Sequence, residues 1–239
     1  MPAQNNLFLL QDLDDSDKTR DLGDCDLKAL RTVAGWIESF VIKPHPELGR
    51  AGPVCPIVPH ALEHETLWLA AEEVDNRSAA DVVTLVNGYK ELLLRLQPAP
   101  DDDTSYKALV IVFSGLTADR ARECFDDIQM QDFKRLSYEQ HGVVVGEFHE
   151  RNEGAAVRNP GFQPFKAPVP FLLMRHAVVR DWVFFLDNED WFGLWARRFG
   201  ESATRALGEK LRGTDWRHAL DRRPSHMTAT TAATSQGSR

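Results

Sequence analysis

The chain has 239 residues, long enough to bury a core without disulfide staples. Its net charge is −8, from 28 Lys and Arg against 36 Asp and Glu, and the basic residues are scattered, which argues against a nucleic-acid groove. No apolar run approaches the roughly 20 residues that span a bilayer. Cys25, Cys55 and Cys124 fall in no metal-knuckle or CxxC pattern. A sparse, odd set of thiols fits a reducing compartment, and the acidic N-terminus does not read as a signal peptide, so the expected location is cytoplasmic.

Residues 1–25 read as an extended N-terminus and residues 26–222 as one α+β domain. The first periodic stretch runs from Asp26 to Val41, where Leu27, Leu30, Ala34, Ile37 and Val41 make one helical stripe. Residues 45–65, "HPELGRAGPVCPIVPHALEHE", follow as loop, and a second helix is expected over Ala61–Val74, entered through Pro59. Ser78 with Asp81 three residues on predicts a capped third helix reaching Pro98. "PAPDDDTS" is a linker by composition, so residues 26–97 form a helical layer and residues 105–222 the sheet portion.

Beyond the linker the period changes. "KALVIVFSG" is a continuous apolar run suited to a buried strand. A long helix from Thr117 through Gln140, closed by Gly142, precedes the strand "GVVVGEF". "VPFLLMRHAVV" predicts the next strand and "NEDWFGLWARRFG" a last helix. Strand, helix, strand, strand, helix is the order of a ferredoxin-like sheet containing antiparallel pairs. Residues 223–239 are too poor in apolar groups to order themselves and read as a disordered tail.

Four features carry potential chemistry. Cys55, held between Pro53 and Pro56, has the preorganisation of a nucleophile or thiolate ligand, although a buried loop cysteine often acts as a small hydrophobe. His60, Glu63 and His64 match H-x-x-E-H, the zinc-peptidase pattern in which two histidines on one helical face hold the ion and the glutamate is the base. His60 would sit in the first helical turn, a poor start for that geometry. Phe148-His149-Glu150 ends a predicted strand, where scaffolds display functional groups. Arg175 and His176, adjacent in a strand, point to opposite faces. Buried, the arginine needs an anion and the histidine a partner or metal. A local carboxylate and an ordinary hydrogen bond would serve equally well.

Four segments, "HPELGRAGPVCPIVP", "EFHERNE", "RNPGFQPFKAPVPFLLMRHAVVRDW" and "WFGLWARRFG", resemble an actinobacterial heme-protein family. That family includes the Nω-hydroxy-L-arginine synthase of D-cycloserine biosynthesis. The resemblance runs from Leu27 to Phe199. It implies a heme-dependent monooxygenase of antibiotic biosynthesis that hydroxylates a nitrogen of a guanidino or amino-acid substrate, with a histidine on the iron. The chain lacks a Gly-rich dinucleotide fingerprint, so an external electron donor or peroxide is implied. His176 is the expected ligand, with His149 and Cys55 as alternatives. Arg50, Arg175 and Arg180 are candidates for the propionates, and Glu147, Glu150 and Asp181 for a cationic substrate. A homodimer stays open as an assembly, and so do two other functions: a non-catalytic small-molecule or partner-binding protein, and a zinc hydrolase.

Overall fold

The computed structural model describes residues 6–75, 77–96 and 106–212. The linker expected around Pro98–Ser105 and the tail from Arg223 lie outside the described residues. Before residue 26 the chain is already tied down. Phe8 exchanges two backbone hydrogen bonds with Leu69 (2.9 and 2.8 Å), and Phe8 and Leu13 are buried.

Helix α1, Asp24–Trp36, buries Leu30, Val33 and Ala34 and runs on into a single π-helical turn, Ile37–Val41. A short α2, Val58–Glu63, follows the proline-rich loop. The helix expected over Ala61–Val74 is therefore overturned. It stops at Glu63, Glu65 takes a positive φ of 55°, and Leu67–Glu73 forms strand β1. Leu, Ala and Glu favour a helix locally, but propensity is a weak prior against tertiary context. As a strand, this segment buries Leu67 and Leu69 in one core and Ala70 in the other. Its backbone groups meet Phe8 on one edge and β2 on the other.

Helix α3, Ala79–Arg95, opens with the capping box expected of Ser78 and Asp81. Strand β2, Ala108–Ser114, is buried along its whole length. The long helix expected over 117–140 is broken at Asp127 into α4, Ala118–Asp126, and α5, Ile128–Leu136. Asp127 takes an extended ψ of 140°, and its carboxylate caps α5 by accepting from Gln129 N (2.9 Å). A second π turn, Ser137–His141, leads through Gly142 into β3, Val143–Phe148. Strand β4, Phe171–His176, precedes a 3-10 turn, Val179–Phe184, and α6, Glu189–Arg212, which is broken by the backbone of Gly200.

The sheet order is β1-β2-β4-β3, with β1 and β2 parallel and the other pairs antiparallel. This is the expected α+β architecture with an antiparallel-containing sheet. From residue 106 on, the expected order of strand, helix, strand, strand, helix holds except that its first helix is split into α4 and α5. A ferredoxin-like unit closes with a strand after its second helix. Here α6 is the last element among the described residues, and the fourth place in the sheet belongs to β1, from the region expected to be wholly helical.

The two sheet faces are covered unequally. On one, α3, α4 and α5 bury Leu109, Ile111, Leu172 and Met174 completely. On the other, α1 covers β1 and β2, whereas Val144 and Gly146 of β3 and Leu173 and Arg175 of β4 stay only half-buried. No helix among the described residues is long and apolar enough to cross a membrane.

Candidate functional site

The end of β4 divides its two polar residues between these faces, as strand alternation requires. Arg175 turns to the half-open face and forks onto Asp181, with Nη1–Oδ2 at 3.0 Å and Nη2–Oδ1 at 2.7 Å. Nη1 also donates to the His176 carbonyl (2.9 Å), and Asp181 accepts from Val178 N (2.8 Å). Burial works against the guanidinium charge, but the bonds and charge of Asp181 more than offset it, so its pKa is raised. Asp181 is 2 % exposed. Both groups are thus consumed by each other and by the 3-10 turn that Asp181 caps. Neither is free to meet a propionate or a cationic substrate.

His176 turns to the covered face, and its Nε2 is buried with no partner. Burial, then the charges of Lys107 and Arg198, lower its pKa. The imidazole is neutral at pH 7. Lys107 precedes β2 by one residue, so the antiparallel register sets it opposite His176. Its ammonium is buried and donates to Leu96 O (2.6 Å) and Leu93 O (3.4 Å), capping the C-terminal end of α3. Arg198, from α6, does the same for the π turn by donating to Tyr138 O (3.0 Å) and Glu139 O (3.1 Å).

Gly142 ties these parts together. Its φ of 66° and the guanidinium of Arg198 packed against it leave no room for a Cβ, and its carbonyl accepts from Ala177 N (2.7 Å). The Ser137 Oγ and Tyr138 Oη, both on this turn, are also buried without partners. Three of the four such atoms among the described residues, Ser137 Oγ, Tyr138 Oη and His176 Nε2, belong to the π turn and to the last residue of β4. An unpartnered buried polar group costs about 1–3 kcal/mol, so each of these atoms is a place where a polar partner would be welcome. Burial, with Asp181 nearby, pushes the Tyr138 pKa up to about 12, so its hydroxyl is protonated at neutral pH.

The fourth atom, His149 Nδ1, is elsewhere. Val143 pairs with His176, and His149 follows six residues later, roughly 20 Å along the strand. There Glu147 pairs with the buried Lys134, which also donates to Phe125 O (3.3 Å), and the His149 ring packs on Phe125. Glu150 and Arg180 are exposed. The expected set thus splits into two ends, with Glu147, Glu150 and His149 at one and Arg175, His176, Arg180 and Asp181 at the other.

Cys55 is half-buried and packs against the core under α1, its N–H bonded to Val41 O (3.0 Å). It packs against the same cluster as Val110 and Val112 of β2, so the proline-rich loop does reach the sheet. Arg50 holds that loop by donating to Ala51 O (3.1 Å) and Val54 O (2.9 Å). His60 and His64 both lie over Tyr106 on the surface, and His64 Nδ1 bonds the His60 carbonyl (2.8 Å). Among the described residues no three His, Cys, Asp or Glu side chains form a group able to hold a metal.

Of the aromatic residues near the end of the chain, Trp195 is fully buried and bonds Val179 O through Nε1 (2.9 Å). Phe185 stacks on Trp191, and both rings meet Tyr138 edge-on. Sequence reasoning missed Lys107, Ser137, Tyr138 and Arg198. Their only signal was position: one residue before a strand, around a helix-closing glycine, and in the Arg-Arg pair of the last helix.

No curated protein and no solved structure matches the chain. A family model described as a domain of unknown function, DUF6875, matches residues 30–210, which span α1 to α6 and every residue of the β4-end cluster. The chain belongs to that family.

Proposed function

We propose that the protein is a heme-dependent N-oxygenase acting on an amino-acid or guanidino nitrogen, with His176 as the residue that holds the iron. One observation supports the reading beyond the resemblance: a half-buried, neutral imidazole whose own Nε2 is buried and has no partner. Metal ligation requires the neutral ring, and Lys107 and Arg198 disfavour its protonation. The donor set fits the group in part. His176 would hold the iron through its free nitrogen, and Lys107 and Arg198, whose charges act on that ring, would be the cations available to propionates. Arg175 and Asp181 take no part because they are bonded to each other. Glu147 and Glu150 lie at the far end of β3, so they would not hold a substrate beside His176. Heme, when bound, supplies oxygen activation that no side chain provides, with electrons or peroxide coming from outside.

The test is spectroscopic. Protein titrated with hemin should develop a saturable Soret band, lost or grossly altered in His176→Ala and retained in His149→Ala. Cys55→Ser separates the thiolate alternative, since a thiolate-bound iron gives a red-shifted carbon-monoxide complex. No Soret band in any form rejects the proposal in favour of a non-catalytic binding protein.

A further inference from the structure

The parallel pair of the sheet, β1 and β2, ends at Glu73 and Ser114, and the crevice outside the carboxyl ends of parallel strands is a common place for ligands. Local contacts shape that end of the molecule. Gly115 takes a φ of 79°, with the Asp75 carboxylate 3.3 Å from where its Cβ would stand, and turns the chain out of the sheet. The Ser114 hydroxyl donates to the Asp26 carboxylate, which ties the first turn of α1 to the end of β2. Strand pairing of β2 with β4 stops at Val112 and Phe171, and beyond it Phe113 N donates to Pro170 O (2.9 Å). Between α1, the end of β2 and residues 168–170 lies a cavity of about 310 Å³.

Its lining says what kind of occupant fits. From α1 come Cys25, Lys28 and Thr32, all exposed. The sheet end and the segment before β4 add an apolar wall that includes Leu116 and Val169, and Pro168 and Pro170 fix the backbone on either side of Val169. Lys28 is the one charged side chain in this lining, and its ammonium has no hydrogen bond or ion pair among the described residues. A neighbouring hollow of about 410 Å³ shares Lys28 and Thr32 and adds Asp24 and Arg31. Arg31 is held there by Leu13 O (3.1 and 2.8 Å). The region therefore offers one free positive charge beside an apolar wall.

That combination suits a molecule with an apolar body and a single negative charge. A phosphate, with close to two charges, would leave one uncompensated in a neighbourhood that contains Asp24 and Asp75. A cation would meet Lys28 with no counter-charge. The volume stands at the lower end of the roughly 300–1,000 Å³ of small-molecule sites, so the ligand is small. We infer that this cavity binds a small organic monocarboxylic acid through Lys28, with its apolar body against Leu116 and Val169. The site lies where β4 begins, whereas His176 ends that strand, so it does not depend on heme.

Cys25 supplies the readout, because it is exposed while Cys55 and Cys124 are half-buried. Iodoacetamide alkylation of the full chain, followed by mass spectrometry, reports occupancy as slower labelling of Cys25, with Cys124 as internal reference. Each protection is the ratio of rates with and without the probe in the same variant. Phenylacetate is the probe, phenylacetamide its neutral counterpart and phenethylamine its cationic one. Phenylacetate should protect Cys25 saturably, and phenylacetamide should need about five times the concentration. In Lys28→Met, which keeps the apolar stem of an exposed side chain, acid and amide should protect alike. Thr32→Phe, which fills the cavity from the exposed side of α1, should abolish protection by either. Absence of saturable protection, or protection unchanged in Thr32→Phe, would overturn the site. Phenethylamine protecting as well as phenylacetate, or a preference for the acid that survives Lys28→Met, would overturn the ligand class.

Discussion

Asp181→Ala tests the strongest electrostatic statement the structure makes. The substitution removes both acceptors of the Arg175 fork and the cap on Val178 N, and leaves a guanidinium whose side chain is 12 % exposed without its counter-charge. Removing one partner of a buried pair costs about 3–5 kcal/mol, because the remaining charge keeps its desolvation penalty. For a chain of this size each kcal/mol moves the melting temperature by roughly 2–4 °C, so a fall of about 6–20 °C is expected. Urea unfolding should show a lower midpoint at an unchanged slope, which separates lost stability from a changed unfolded state. The double variant Arg175→Met, Asp181→Leu should recover much of the loss, since replacing both partners by apolar groups is often neutral. A loss below about 1 kcal/mol would place the pair with exposed ion pairs and refute its burial. A double variant no better than the single would refute the stranded charge as the cause.

Two further expectations follow from the same coordinates. Gly142→Ala should cost about 1–3 kcal/mol through its left-handed backbone and the displaced Arg198, whereas Gly35→Ala, in open space inside α1, should be neutral or mildly stabilising in the same melt. Burial lowers the His149 pKa, with Glu147 and Asp126 partly opposing, so the unfolded chain binds its proton first, near pH 6.5. Stability should therefore fall as the pH drops below that value. His149→Gln should flatten the decline, and an unchanged slope would show that the ring is not held neutral.

What could be read in the sequence depended on whether local and tertiary preferences agreed. They agreed at β2, where seven buried residues leave no amphipathic signal to mistake, and at α3, where Ser78 and Asp81 form the box their spacing predicts. They disagreed at Leu67–Glu73, a segment of good helix formers that becomes a strand because both of its edges and both of its faces find partners. Asp127 is a similar case. Nothing in the apolar period from Ala118 to Leu136 marks a break, and only the capping role of its carboxylate explains why α5 starts afresh.

The site was legible in part for the same reason. Alternation alone put Arg175 and His176 on opposite faces, and the need of a buried arginine for an anion was met by Asp181, six residues on. What alternation cannot give is which strand ends lie together, and that decided the rest. Because β3 and β4 are antiparallel, His149 and His176 stand at opposite ends of their shared ladder despite both flanking apolar strands. The cations beside His176 come from the start of β2 and the middle of α6, some 70 and 20 residues away in sequence. The same fold that keeps that imidazole neutral also leaves the other face of its strand half-covered.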